Sequence, residues 1–177
     1  LAFFAYFNFN DPVVGGNAPE KIALRRAVLM GYNPAELVQV GLQGQGTPAT
    51  QPIPPPVPGH VAGLKSSTPF DPALARQLLD KFGYKGRDGD GFRELPDGKP
   101  LLLTMGSAPT GENRIRDELW LKNMKEIGIR IDFLRQKWPD LLKMSRAGQL
   151  QMWQLGWSAD IAESFMQLAY GPTAGEI

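Results

Sequence analysis

The only histidine, His60, sits in a loop between Pro58-Gly59 and Val61. A nucleophilic triad would need an acid and a hydroxyl converging on it, and neither Ser66, Ser67 nor Ser158 lies in a nucleophile-elbow motif. There is no cysteine, which removes disulfides, thiolate metal sites and a cysteine nucleophile. Asp160 and Glu163 are two carboxylates three residues apart, but paired glycosidase carboxylates flank the scissile bond from separate elements. In Asp88-Gly89-Asp90-Gly91-Phe92-Arg93-Glu94, an EF-hand loop counted from Asp88 requires a third Asp or Asn where Phe92 stands, and its distal Glu is misplaced. This segment is expected to be a Gly-rich turn feeding a hairpin, with no metal. No catalytic residue and no cofactor is expected, so the chemistry open to this chain is recognition.

The elements that would position recognising groups can be read from periodicity and punctuation. Phe3, Ala5, Phe7 and Phe9 alternate with Phe4, Tyr6 and Asn8 as an aromatic strand. Pro19 to Met30 reads as a helix capped near Asn17 or Ala18 and stopped by Gly31, and Asn33-Pro34 starts a short helix to Val40. Residues 44–69 hold seven prolines and predict a stiff extended loop rather than a flexible linker. Asp71-Pro72 opens a helix with Leu74, Leu78, Leu79 and Phe82 on one face. Residues 91–95 and 101–105 read as strands joined by Pro96-Asp97-Gly98-Lys99. Glu112 to Ile127 is a helix with an Ile115, Leu119, Met124, Ile127 stripe and its Lys and Arg side chains on a solvated face. A strand from Ile129, a helix from Pro139 to Ala147, a strand from Leu150 to Trp157 and a further helix near Ala159-Asp160 complete the chain. The last strand is apolar on both faces, hence central.

This order gives an α/β fold with a mixed, mostly parallel sheet flanked by helices. Residues 1–177 are expected to be a single unit, either one domain with its own core or one lobe of a larger protein. Nineteen basic against 18 acidic side chains leave a net charge of +1, so no electrostatic case for nucleic acid exists. No run of 18 apolar residues occurs. Leu1 to Tyr6 lacks the basic region and cleavage site of a signal peptide, and a start without Met on a strand points to a piece of a larger protein.

Several stretches, taken together and in order, resemble the extracellular solute-binding proteins of the dipeptide, oligopeptide and nickel ABC importers. Lys21 to Val28 is similar to a "VRxA" helix, with Arg25 and Ala27 at the matching places. Asn33 to Val38 resembles "DREEL", and Gly46-Thr47-Pro48 with Pro52 to Pro55 the family's Pro-rich loop. Asp71 to Leu79 resembles "YDPxxAxxLL", Phe82-Gly83-Tyr84 "AGY", and Trp120 to Ile129 "LxxxLxxIGI". Gly148 to Met152 and Gly156-Trp157-Ser158-Ala159-Asp160 resemble "GxxDM…GWxADY".

The resemblance implies one lobe, the C-terminal one, of a two-lobed periplasmic-binding-protein type II-like fold. The N-terminal lobe is then a partner outside this sequence. It further implies capture of a small solute, best a peptide, in an interlobe cleft and delivery to an ABC permease from a periplasmic or cell-surface location. Asp160 stands where peptide binders of the family pair the ligand's ammonium group, with Trp157, Gln154 and Ser158 beside it. Position and physics agree, because open α/β sheets bind ligands at the carboxyl ends of strands. A helix N-cap is the plain alternative for Asp160, and core packing beside Trp153 and Leu155 for Trp157. Two departures weigh against a peptide with both ends free: Gln154 replaces an Arg found in some relatives, and Ile161 replaces the usual Tyr. A non-peptide solute such as an opine, sugar, metal chelate or haem therefore stays open. A hydrolase or a structural docking domain are the readings from other classes.

Overall fold

The computed structural model describes residues 2–157 of the chain. Four strands form one mixed sheet: β1 (Ala2–Phe7), β2 (Leu102–Ser107), β3 (Arg130–Arg135) and β4 (Met152–Trp157), in the order β1-β4-β2-β3. β2 runs parallel to both β3 and β4, while β1 lies antiparallel on β4 with Ala2 opposite Trp157 and Phe7 opposite Met152. β4 is thus central, as its two apolar faces imply. Met152 packs into one core and its neighbour Trp153 into another, so consecutive residues bury on opposite sides of the sheet.

The larger core lies under α1 (Pro19–Gly31), α3 (Pro72–Lys81) and α4 (Gly111–Glu126), and collects Leu24, Val28, Leu79, Leu103, Met105, Trp120 and Met124. The smaller one lies under α5 (Trp138–Arg146), where Leu141 meets Leu150 and Trp153. A sheet covered on both faces suits its parallel strands, whose backbone is buried from both sides. At Gly106 in β2 an added Cβ would come within 3.1–3.3 Å of Leu141, Leu150 and Trp153, so the missing side chain sets how closely α5 approaches.

Local signals hold where they are chemical. Asn33 caps α2 (Pro34–Glu36) by accepting from the Glu36 amide at 3.1 Å, and Asp71 caps α3 by accepting from Leu74 at 2.8 Å. The short helix then continues to Gly41 as a π-helical turn, Leu37–Gly41. Ala18 rather than a polar residue caps α1, with Pro19 supplying the first-turn geometry. Arg25 is buried on α1 with no acidic partner among the described residues. It donates to the Val14 and Gly16 carbonyls at 2.6 and 2.8 Å and lies over the Phe9 ring, pinning the loop between β1 and α1.

Other expectations are corrected. Residues 91–95 do not form a strand: Glu94 makes single bridges to Lys85 and Pro100, and the chain from Leu102 leaves to join the parallel sheet. The turn itself is present, with Gly98 at φ +87° and its amide on the Leu95 carbonyl. Pairing with β3 and β4 buries Leu103 and Met105, which a two-stranded ribbon could not do. On α4, Ile115 is surface-exposed, and the buried face runs through Asp117, Leu119, Trp120, Asn123 and Met124. Leu74 is likewise exposed, while the rest of the expected α3 face turns to the core: Leu79 is buried, Leu78 and Phe82 are partly buried against it, and Ala75 joins them.

The Pro-rich segment has no helix or strand but is tied internally. Gln51 bonds both backbone groups of Val61, and His60 Nδ1 meets the Ile53 carbonyl at 2.7 Å. Among the described residues, no helix is long and apolar enough to cross a membrane.

Candidate functional site

The carboxyl ends of β2, β3 and β4 converge at one edge of the sheet, joined there by the amino end of the antiparallel β1. α4 starts after a three-residue turn beyond β2, with Thr110 capping it by accepting from Asn113. Its first two turns therefore stand over this edge, and its positive end adds to any attraction for negative charge.

Of the residues expected to hold ligand, Gln154 is described in full. It is half-buried on β4, and its Oε1 accepts from the indole Nε1 of Trp120 at 3.0 Å. Trp120 is fully buried and stacks on Tyr32 with ring centroids 4.1 Å apart. Gln154 also lies beside the Tyr32 hydroxyl, which makes no hydrogen bond of normal geometry among the described residues. Burial pushes that hydroxyl up to about 12; Gln154 and the Arg116 charge offset only part of the effect. Gln154 thus has its carbonyl oxygen committed to the scaffold, and its side chain also lies within reach of the Tyr32 hydroxyl. Trp157 closes β4, its backbone paired in register with Ala2. Ser158 and Asp160 lie outside the described residues.

Beside this group is a second polar cluster that the sequence reading missed. Asp117 is buried on α4 and its Oδ2 accepts from Ser107 Oγ at 2.8 Å, at the end of β2. The same oxygen accepts from Arg135 Nη1 at 2.7 Å, at the end of β3. Burial pushes the Asp117 carboxyl above its ordinary range, against the lowering influence of Ser107 and Arg135. Arg135 is half-exposed, so it carries positive charge to the surface of this edge. Arg116, expected on a solvated face, has a nearly covered side chain that bonds Asn113 and Glu112 and lies 4.7 Å over the Phe3 ring. The signal for this cluster was available: Asp117, Trp120 and Met124 follow helical spacing, and a carboxylate on the face of a buried Trp needs a partner.

Two concavities among the described residues lie elsewhere and neither includes Gln154. One, about 250 Å³, is lined by Asn8, Asp11, Thr104 and Gln151 at the amino end of β4. The other, about 490 Å³, is an apolar groove between α1 and α3. The arrangement at the carboxyl edge offers polar and cationic groups held by a rigid scaffold. Among the described residues it brings together no nucleophile, base and oxyanion site.

The family described as bacterial extracellular solute-binding proteins, family 5 Middle, matches residues 2–176. The chain belongs to this family. Di/tripeptide-binding protein 2 of Pseudomonas aeruginosa is 28% identical over 153 residues, covering 86% of this chain and 25% of the relative. Heme-binding protein A of Haemophilus influenzae is 27% identical over 157 residues, covering 88% and 26%. Among solved structures, the oligopeptide-binding protein OppA aligns with a TM-score of 0.82 at 20% identity over 99% of this chain and 28% of its own. A periplasmic oligopeptide-binding protein from Thermotoga maritima gives 0.80 at 22% identity, over 99% and 34%. These likenesses establish the periplasmic-binding-protein fold. The chain spans about a quarter of the length of the curated relatives it matches.

Proposed function

We propose that the chain supplies one wall of the ligand cleft in an extracytoplasmic solute-binding protein that delivers a peptide to an ABC permease. The lobe, C-terminal by its motifs, closes on a second lobe by hinge motion and performs no chemistry. The observation that carries this reading is the family match over 2–176, in which the central strand β4 leads straight into Trp157-Ser158-Ala159-Asp160. Asp160 is the anchor for a ligand ammonium group. Trp157 and Ser158 contribute apolar and hydrogen-bonding contacts, and Gln154 offers its amide hydrogens. A carboxylate shielded from water holds an ammonium group more strongly than an exposed one does.

The test uses the full-length parent. Native mass spectrometry of protein taken from its host identifies the retained ligand, and calorimetry then compares wild type with Asp160→Asn on a free and an N-acetylated tripeptide. The expected result is a retained peptide, and for the free tripeptide a loss of about 30-fold or more in D160N, from the 2–5 kcal/mol typical of a broken buried charge pair. The acetylated tripeptide should bind both proteins alike. Equal affinity of wild type and D160N for the free tripeptide would remove Asp160 from the site. A retained haem or metal chelate would favour the non-peptide reading, to which Gln154 in place of Arg and the likeness to a heme-binding protein both lend support.

A further inference from the structure

At the opposite, amino edge of β2 and β3, the carboxylates of Asp88, Asp90 and Glu94 bring one oxygen each to within 4.8 Å of one another. Glu94 is only 8% exposed, and its Oε2 is sealed from solvent with no hydrogen-bond partner; the side chain makes no ion pair among the described residues. A buried carboxylate without a partner, facing two further carboxylates, is a costly arrangement unless a cation joins it.

The neighbouring cations do not meet that need. Arg130 Nη2 takes Asp90 Oδ2 at 2.5 Å. Arg93 turns away to Asp80 and to the Tyr84 and Ile127 carbonyls. Arg87 reaches the Pro96 carbonyl at 3.4 Å. None of them contacts Glu94.

We infer that Asp88, Asp90 and Glu94 form a calcium site. The donor set is all oxygen, the preference of a hard cation. Three oxygens within 4.8 Å of one another can share one Ca²⁺, whose coordination is flexible, whereas Mg²⁺ demands near-ideal octahedral geometry and gives up its waters reluctantly. The loop agrees when its count begins at Gly86 rather than at Asp88. Asp88 and Asp90 then fall at positions three and five of a calcium loop, Gly91 at the sharp sixth position with φ +87°, and Phe92 at the seventh, which contributes a backbone carbonyl. The Phe92 oxygen lies against Gly86, where an added Cβ would come within 2.9 Å of it. In this count Gly86 supplies no first-position carboxylate, Glu94 falls at the ninth position as the buried carboxylate, and Asp97 at the twelfth pairs with Lys99 instead. A cation here would lock this loop to the bridges that tie Glu94 to Lys85 and Pro100, and to the Arg93 amide on the Gly128 carbonyl. It would thus brace the ends of α3 and α4 against the start of β2.

The test is thermal unfolding of the full chain after EDTA treatment and dialysis, with 10 mM CaCl₂, 10 mM MgCl₂, or KCl at matched ionic strength. With a Kd of about 10⁻⁴–10⁻³ M, typical of extracellular modules, calcium should raise Tm by about 3–10 °C. Magnesium should do much less, and calorimetry should count one calcium per chain. Glu94→Gln should lose the calcium shift while its metal-free Tm equals or exceeds that of wild type, because it removes an unpaired buried charge. Asp88→Asn gives a second, milder variant on an exposed position. Absence of a calcium shift in wild type, an equal shift with magnesium, or full retention of the shift in both variants would overturn the assignment.

Discussion

Gln154→Leu isolates what holds the candidate site's scaffold together. The substitution keeps the volume of the side chain roughly constant and removes the acceptor of the Trp120 indole N–H. That donor belongs to a side chain only 1% exposed, stacked on Tyr32, so water cannot replace the lost oxygen. An orphaned buried donor costs about 1–3 kcal/mol, and this one should fall in the upper half of that range. The substitution also leaves the Tyr32 hydroxyl with a less polar neighbour. With a urea m-value of about 2 kcal/mol/M, the midpoint should drop by about 1–1.5 M at unchanged m. Trp120→Phe supplies the control: in that background there is no N–H to orphan, and Gln154→Leu should cost at least about 1 kcal/mol less than in wild type. If Gln154→Leu costs the same in both backgrounds, the hydrogen bond at 3.0 Å contributes nothing and Gln154 is not part of the scaffold.

Two further outcomes follow from neighbouring features. Because burial raises the Asp117 carboxyl, the folded state favours its protonated form; the stability this group contributes is fullest below its unfolded value and is lost as pH rises through the native one. Asp117→Asn keeps an acceptor for Ser107 and gives up only the half-exposed Arg135 pair, so it should lie within about 1 kcal/mol of wild type at pH 7. The wild type's advantage over it should be larger near pH 3.5 than at pH 7 in urea unfolding, and an advantage that grows with pH would contradict the sign. Gly106→Val pushes a branched side chain against Leu141, Leu150 and Trp153 and should cost about 1–3 kcal/mol, read as a Tm fall of several degrees, with Gly106→Ala intermediate.

The parts of the fold legible in the sequence were those written in local chemistry. Asn33-Pro34 and Asp71-Pro72 announce helix starts because a side-chain oxygen must take an otherwise unpaired amide, and both do so. β4 announced its central place through Met152 and Trp153, apolar on successive positions. What stayed hidden depended on tertiary partners. Leu101 to Met105 follow a sound hairpin turn, yet two parallel neighbours distant in sequence win the strand. Arg116 counts as a surface residue by type, but the ring of Phe3 from the other end of the chain covers it. Asp88, Asp90 and Glu94 read as a failed loop by spacing alone, which carries no sign that the fold buries Glu94 and leaves its Oε2 without a partner. Gln154 was identified by its place in a motif; that it is held by Trp120 depends on how α4 crosses β4, which no spacing states.

The pairing of Ala2 with Trp157 has a consequence for how the sheet closes. The two strands that meet there are separated by more than 150 residues, so their hydrogen bonds form only after the entropy of closing a long loop has been met. Non-local pairings of this kind slow folding relative to local ones, and the β1–β4 seam is the least local contact of the sheet.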